Sequence, residues 1–278
     1  MGALLSCREA KTLLKSRGKS IASISLDLGI TETEVRLDEG GVHLPEGALI
    51  PWSEVEKVAE DCGVCYHFRG AVALPIRSYS EITNRVVALM PTSGAPTITL
   101  SGIAMHRIRG IDPWTDTKLK LKAIGRIRGK VLDVCTGLGY TAIQASERAD
   151  TVLTVELDPT VLETAAMNPW SRELFESEKI TAVIGNAADI VAGMPAGWFD
   201  FVIHDPPLFG LAGELYSLQF YKMLWRVLRK GGRLFHYVGN PDSKMSGNVT
   251  KGAANRLQEA GFRVIRKPAA FGLLALKY

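Results

Sequence analysis

From Gly129 onward the chain alternates short apolar segments with helical segments, and this order restricts the fold more than any other feature of the sequence. Strand and helix units of this length predict an α/β fold, a parallel sheet with helices on both faces. The predicted strands are residues 130–135, 151–156, 180–184, 199–204, 232–238, 262–266 and 271–276. Because a link of only four residues joins the last two, we expect the seventh strand to run antiparallel.

The remaining pattern predicts helices between these strands and a different organisation before them. The predicted helices are residues 141–148, 159–166, 213–228 and 249–259. Before residue 105, a short helix over residues 3–17 precedes extended runs separated by Gly or Pro, which predict a small antiparallel meander. We therefore divide the chain into an N-terminal accessory β-rich domain, residues 1–104, and a larger domain, residues 105–278.

Composition places the chain among globular proteins. Its 278 residues are 46% hydrophobic and 22% charged, enough apolar material for a full core. Four cysteines are too few for a disulfide framework in a chain of this size. No apolar run reaches the length of a membrane span, and the basic start does not read as a signal peptide. These features predict a cytoplasmic protein without membrane contact.

Polar residues and glycines follow the first two strands of the predicted sheet. Asp133 ends the first strand, and Gly137 and Gly139 form the turn into the next helix. Glu156 ends the second strand, where a carboxylate can accept hydrogen bonds from two ribose hydroxyls. Since ligands of such sheets bind beyond the carboxyl ends of the strands, we expect the site there. Cys135 replaces the first glycine of a dinucleotide fingerprint, which argues against a pyrophosphate ligand.

These motifs resemble those of class I S-adenosylmethionine (SAM)-dependent methyltransferases, which have a Rossmann-like seven-stranded sheet. The resemblance implies that Asp133, Gly137 and Gly139 line the methionine end of SAM and that Glu156 binds its ribose. Asn186, or alternatively Asp189, follows the third strand and would contact the adenine amine. We expect no metal at this site.

The fourth strand runs into Asp205-Pro206-Pro207-Leu208-Phe209, which resembles the motif of enzymes that methylate nitrogen on planar groups. In that family the acidic side chain and the first prolyl carbonyl accept hydrogen bonds from the target amine. Asp205 is therefore expected to be catalytic and to adjoin SAM, with Pro206, Pro207 and Phe209 binding substrate. The alternative is that the two prolines simply end the strand.

Downstream, Glu214 and Tyr216 open the next predicted helix and are further catalytic candidates for binding the acceptor. The run from Asp205 to the Gly231-Gly232 pair is also similar to the spermidine synthase branch of the same fold. With the segments at residues 100–118, the set resembles a group of predicted archaeal methyltransferases. The runner-up activity is therefore aminopropyl transfer from decarboxylated SAM, and a third alternative is a SAM-sensing or RNA-binding module without catalysis.

Segment 105–130 carries eight Lys and Arg residues against two Asp residues. Such a segment can contact a nucleic-acid backbone or form the solvated face of a helix. The acceptor is left open among a small amine, RNA and protein. Two features are weaker. Cys62 and Cys65 could bind a metal with Cys7, His43 or His67, and His204 is interpreted as a packed core histidine.

Overall fold

A computed structural model describes residues 2–207, 210, 212–240 and 244–278, with the backbone alone for residues 244–247. The chain divides into two compact units. The first comprises Met1–Pro113 and Ala166–Trp170, and the second comprises Trp114–Ala165 and Ser171–Tyr278. Within the described residues, no helix is long and apolar enough to cross a membrane.

The first unit is rich in short antiparallel strands. Its elements are β1 (Leu4–Leu5), α1 (Cys7–Lys15), β2 (Ile21–Ile24), β3 (Thr33–Leu37), β4 (Gly41–His43), β5 (Leu49–Pro51), α2 (Trp52–Glu60), β6 (Tyr66–Arg69), β7 (Val72–Pro75), β8 (Arg77–Ser80), β9 (Arg85–Met90), β10 (Thr97–Leu100) and β11 (Ile103–Ala104). The described strands pair in the orders β1-β6-β7, β2-β3-β4-β5 and β11-β10-β9-β8. Residues 20–51 thus form the expected meander.

The N-terminal helix is shorter than the predicted 3–17 because Ser6 caps it. The Ser6 side chain accepts a hydrogen bond from the Arg8 backbone N–H, and the Glu9 carboxylate accepts one from the Ser6 backbone N–H. This reciprocal capping box fixes the helix start. A disulfide joins Cys7, the first residue of α1, to Cys62, just beyond α2.

The second unit begins within α3 (Pro113–Ile124) and contains the predicted alternation. Its remaining elements are β12 (Lys130–Val134), α4 (Tyr140–Ser146), β13 (Thr151–Glu156), α5 (Pro159–Ala166), α6 (Arg172–Glu176), β14 (Ile180–Ile184), α7 (Ala187–Gly193), β15 (Phe199–His204), α8 (Leu218–Val227), β16 (Leu228–Tyr237), α9 (Lys244–Glu259), β17 (Arg263–Lys267) and β18 (Gly272–Leu276). Short 3-10 turns occupy Pro169–Ser171, Gly213–Tyr216 and Pro268–Ala270.

The described strands of this unit form one seven-stranded sheet in the order β14-β13-β12-β15-β16-β18-β17. β12 pairs in parallel with both β13 and β15, whereas β18 is antiparallel to β16 and β17. The antiparallel final strand predicted from the short link is confirmed. The strand order reverses at β12, so the carboxyl ends of β12, β13 and β15 lie together, where ligands bind in such sheets.

The helix predicted over 213–228 is two elements. Gly213–Tyr216 forms a 3-10 turn, and Ser217 caps α8 by accepting a hydrogen bond from the Phe220 backbone N–H. Because the cap requires extended backbone at Ser217, one continuous helix cannot form. β16 also begins earlier than predicted, at Leu228, with a register irregularity against β15.

Candidate active site

The turn after β12 has tightly folded backbone. Cys135, Gly137 and Gly139 have φ values of 70°, 55° and 76°, in the left-handed region that favours glycine. Cys135 therefore holds, at a steric cost, the backbone conformation that a glycine would adopt freely. The backbone N–H groups of Cys135 and Thr136 both donate to the Val155 carbonyl, which ties the turn to β13.

The two glycines of this turn are required for different reasons. A Cβ on Gly139 would lie 2.7 Å from the Leu174 side chain, so Gly139 permits close packing against α6. A Cβ on Gly137 would meet nothing within 4 Å. Gly137 therefore presents bare backbone to an open space at the carboxyl end of the sheet.

Glu156 lies at the carboxyl end of β13, beside the turn. Its Oε2 accepts a hydrogen bond from the Gly137 backbone N–H at 2.9 Å, and its Oε1 accepts one from the Asp158 backbone N–H at 3.2 Å. Burial raises the pKa of Glu156, while these backbone hydrogen bonds act in the opposite direction. Each oxygen has a second lone pair for a ligand hydroxyl.

Asp133 is fully buried beneath the turn. Its Oδ2 accepts a hydrogen bond from the Thr154 hydroxyl at 2.8 Å, and that hydroxyl accepts one from Thr136 at 2.7 Å. Its Oδ1 is buried without a hydrogen-bond partner in the described part of the chain. Burial raises the pKa of Asp133 to about 7, although hydrogen bonds from Thr154 and Thr141 lower it.

Asp205, just beyond β15, is paired with a lysine that the sequence analysis did not single out. The Nζ of Lys120 lies 2.5 Å from Asp205 Oδ2 and 3.3 Å from Asp116 Oδ2, and 4.5 Å from the centre of the Tyr237 ring. Lys120 is 1% exposed. Burial by itself lowers the pKa of Lys120, but the attraction of Asp205 and then Asp116 outweighs it, so the pKa rises and the lysine stays charged.

The solvated-face interpretation of segment 105–130 is therefore wrong for Lys120. The helix α3 has a buried stripe that runs through Pro113, Asp116, Lys120 and Ile124, whereas Lys118 and Lys122 are exposed. An aspartate and a lysine four residues apart on that stripe form an ion pair across one helical turn. The spacing of Asp116 and Lys120 was the sequence signal for this buried ion pair, and a search for apolar residues alone misses it.

Four carboxylates predicted as site residues come together around the turn. Burial has the largest effect on the pKa of the Cys135 thiol and raises it. The negative charges of four nearby carboxylates raise it further, namely those of Asp133, Glu156, Asp205 and Glu214. The carboxyl ends of β12, β13 and β15 thus share one strongly acidic environment. Such an environment attracts cationic ligands.

The segment after Asp205 is held by the residues that follow it. Pro206 is buried, Pro207 is half-buried, and the buried Tyr216 donates a hydrogen bond from its hydroxyl to the Pro207 carbonyl at 3.0 Å. Glu214 is exposed on the 3-10 turn. Phe209, predicted to bind substrate, lies outside the described residues.

His204 and His236 stack beneath the Asp205 segment, with ring centres 4.4 Å apart. The Nε2 of His204 donates to the Leu215 carbonyl at 2.9 Å, and the Tyr221 hydroxyl donates to His236 Nε2 at 2.8 Å. Burial lowers the pKa of His204 to about 4 and lowers the pKa of His236 as well, so both rings are neutral near pH 7. His204 is a packed core residue, as interpreted from its sequence context.

Two further predictions have specific outcomes in the structure. The Oδ1 of Asn186 accepts a hydrogen bond from the Ala188 backbone N–H at 2.8 Å and caps α7, while Asp189 is exposed in the first turn of that helix. The disulfide with Cys7 removes Cys62 as a thiolate ligand, and Cys65 is buried. Among the described residues, no group of three or more His, Cys, Asp and Glu side chains suits a metal ion.

The chain is similar to known proteins in sequence and in fold. An uncharacterized protein of Methanocaldococcus jannaschii is 41% identical over 96% of this chain and 93% of its own length. Putrescine N-methyltransferase 1 of Nicotiana tabacum is 30% identical over 49% of this chain, but the alignment covers only 37% of that enzyme. A crystal structure of spermidine synthase with a transition-state analogue has a TM-score of 0.61 at 19% identity, over 75% of this chain and 78% of that one.

The likeness to spermidine synthase establishes the fold, a Rossmann-like sheet, and confirms the predicted fold class. The model of the methyltransferase small domain family matches residues 109–265, which include the glycine turn, Glu156 and Asp205. The chain therefore belongs to the methyltransferase small domain family and is an enzyme of the SAM-dependent methyltransferase type.

Proposed function

We propose that the protein transfers a methyl group from SAM to a nitrogen atom of an amine, amide or nucleobase-type acceptor. The observation that supports this most strongly is the convergence of Asp133, Glu156 and Asp205 on the turn at Cys135, at the reversal of strand order. In this proposal residues 105–278 form the methyltransferase domain and residues 1–104 an accessory domain.

The residues present fit SAM. The open space above Gly137 admits a ligand against bare backbone, and the unpartnered Asp133 Oδ1 suits an ammonium donor such as that of a methionine moiety. The two Glu156 oxygens retain lone pairs for a pair of ribose hydroxyls. Gly139 shapes the same turn, and Asn186 or Asp189 would contact the adenine amine beside α7.

When bound, SAM supplies a methyl group on a sulfonium, whose C–S bond breaks as the acceptor nitrogen forms the new C–N bond. Asp205 orients the acceptor: Lys120 engages its Oδ2, which leaves Oδ1 to accept a hydrogen bond from the acceptor N–H. The same carboxylate receives the proton that the nitrogen loses during or after transfer. Alignment of the two reacting atoms supplies most of the acceleration, roughly 7–11 kcal/mol at best.

Among the acceptor classes, an amine fits the electrostatics best. The carboxylates at the site outnumber the one lysine that the described residues place among them, so a cationic acceptor is attracted. The similarity to putrescine N-methyltransferase points to the same class of acceptor. Glu214, exposed on the turn before α8, would meet the ammonium, and Tyr216 would hold the Pro206-Pro207 segment in place. The proposed substrate-binding role of Phe209 rests on the sequence motif alone.

The test is transfer of labelled methyl from SAM to fractions of a host extract, followed by mass spectrometry of the labelled product. A product methylated on nitrogen supports the proposal. Label on carbon or oxygen only, or no transfer by protein that binds SAM, contradicts it.

Aminopropyl transfer from decarboxylated SAM is the second candidate. The Tyr216-Ser217 and Phe220-Tyr221 pairs after Asp205 favour it, and the turn at Thr136 and Leu138 opposes it, because that branch has a richer run of glycines there. Calorimetry with SAM and with decarboxylated SAM separates the two, since the true donor binds more tightly.

A further inference from the structure

An open groove of about 1100 Å³ lies on the second unit, and its charged lining is almost entirely basic. The charged residues that line it are Lys118, Lys122, Arg126, Arg128, Arg148 and one acid, Glu147. All six are exposed. Within the part of the chain that the structure describes, none of the five cations forms an ion pair with a carboxylate, so their positive charge is directed at solvent.

The arginines of the groove lie at the amino ends of the strands, whereas the candidate active site lies at their carboxyl ends. Arg126 and Arg128 come directly before β12, and Arg148 follows α4, so these three cations are at the amino ends of the strands, while Lys118 and Lys122 lie along α3. Asp205 and Glu156 are at the carboxyl ends. Phosphates held by Arg126, Arg128 and Arg148 therefore lie at the opposite ends of the strands from Asp205.

A smaller cavity of about 180 Å³ extends the basic surface along the same edge. It shares Arg126 and Arg128 with the groove and adds Arg229 and Arg233. Arg229 forms an ion pair with Asp200 at 2.7 Å, so three arginines of this cavity carry positive charge that its single carboxylate does not neutralise.

An exposed aromatic residue lies at the same ends of the strands. Trp198, 47% exposed, comes just before β15, and the Nζ of Lys130 lies 3.5 Å from the centre of its ring. Lys130 begins β12, which pairs with β15, so the tryptophan lies along the same amino edge.

We propose that this groove binds the phosphodiester backbone of a single nucleic-acid strand, as a site distinct from the methyl-transfer centre. Guanidinium groups match phosphate oxygens in bidentate geometry, and three of the five unpaired cations in the groove are arginines. The groove is too large for one phosphate and five cations line it, which suits a polymer that carries several phosphates. Trp198 offers a ring face on which an unpaired base can stack, a contact that an acidic peptide does not need.

The experiment measures binding of fluorescein-labelled 20-nucleotide oligo(U) RNA, and of the equivalent oligo(dT) DNA, by fluorescence anisotropy between 50 and 200 mM salt. The groove variant is Lys122→Glu/Arg126→Glu/Arg128→Glu. The matched control, Arg172→Glu/Lys222→Glu/Lys251→Glu, makes the same change in net charge at exposed positions elsewhere on the unit. Thermal unfolding of both variants verifies that they fold.

If all five groove cations contact phosphates, the slope of log K against log salt is roughly −3.5 for a single strand, from about 0.7 per contact. We expect the groove variant to lose at least about tenfold in affinity and more than half of that slope, and the control to lose much less. Retained binding in the groove variant, or equal loss in both variants, overturns the proposal. Displacement of RNA by polyglutamate at equal charge concentration also overturns it, in favour of an acidic protein partner.

SAM affinity is measured by calorimetry in the same variants. The groove arginines and the candidate active site are at opposite ends of the strands, so loss of nucleic-acid binding with normal SAM affinity supports two separate sites. Loss of nucleic-acid binding together with loss of SAM affinity contradicts the separation.

Discussion

Lys120 Nζ lies 2.5 Å from Oδ2 of Asp205, and the lysine is 1% exposed. This contact joins α3 to the end of β15, residues 85 positions apart in the chain. Asp116, fully buried, completes the arrangement on the other side of the ammonium. One cation therefore holds both the proposed catalytic carboxylate and the helix that covers it.

Asp205→Asn is expected to leave SAM binding nearly unchanged and to lower the turnover number by about 10²–10⁴-fold, because the amide cannot accept a proton from the acceptor nitrogen. Labelled-methyl kinetics and calorimetry with SAM measure the two quantities. Asp150→Asn, the same change at an exposed position on the opposite edge of the sheet, is the control. Loss of SAM affinity with normal turnover per bound complex would contradict the assignment.

Lys120→Met is expected to lower the free energy of unfolding by about 3–5 kcal/mol, because it removes the buried cation that lies between the carboxylates of Asp116 and Asp205. Adding Asp116→Asn removes the charge of one of these two carboxylates, so Lys120→Met/Asp116→Asn regains much of the stability. Activity should not return, since Asp205 remains unheld. Urea unfolding measures the stability, and single-turnover kinetics measure the activity. Full activity in the double variant would show that Lys120 has a structural role alone.

Gly137→Ala is expected to weaken SAM binding by tenfold or more while costing only about 1–3 kcal/mol of stability, through the left-handed backbone at φ 55°. Its added methyl group points into open space, where the ligand is proposed to lie. Gly139→Ala provides the comparison, because its methyl group meets Leu174 at 2.7 Å and strains the fold. Equal SAM affinity in Gly137→Ala and wild type would place the ligand elsewhere.

Asp133 makes stability depend on pH. Its pKa rises from 3.8 in the unfolded chain to about 7 in the folded protein, so between these values the folded state holds a proton that the unfolded state has released. Stability therefore falls as pH rises through this window, by at most about 1.4 kcal/mol per pH unit, and levels off above it. In Asp133→Asn this contribution is absent. Urea unfolding at pH 5, 6, 7 and 8 tests the difference, and parallel profiles for the two proteins would contradict it.

The Cys7–Cys62 disulfide spans 55 residues of the first unit. Closing a loop of this length typically stabilises a protein by about 2–4 kcal/mol, so reduction should lower the unfolding free energy by that amount. The control is Cys7→Ser/Cys62→Ser, on which a reductant should have no further effect. Four titratable thiols in unreduced, denatured protein would show that the bond does not form.

The local pattern was sufficient for the seven described strands of the second unit, but it did not predict the short helices α6 and α7. The predicted strands 151–156, 180–184 and 199–204 agree with β13, β14 and β15 to the residue. These strands are largely apolar runs bounded by turns, so residue type and turn residues locate them. Boundaries were less accurate at α8, where the Ser217 cap interrupts a continuous apolar pattern.

The sequence by itself determined the α/β alternation, the antiparallel last strand, and the positions of Asp133, Glu156 and Asp205 at strand ends, because these follow from residue type and spacing along the chain. Only the tertiary structure decided that Lys120 is buried against Asp205, that Cys7 pairs with Cys62, and that the exposed cations of α3 join Arg148 around one groove. Each of these is a contact between residues far apart in sequence. Such contacts depend on how the elements pack, and no local periodicity encodes the distance between two elements.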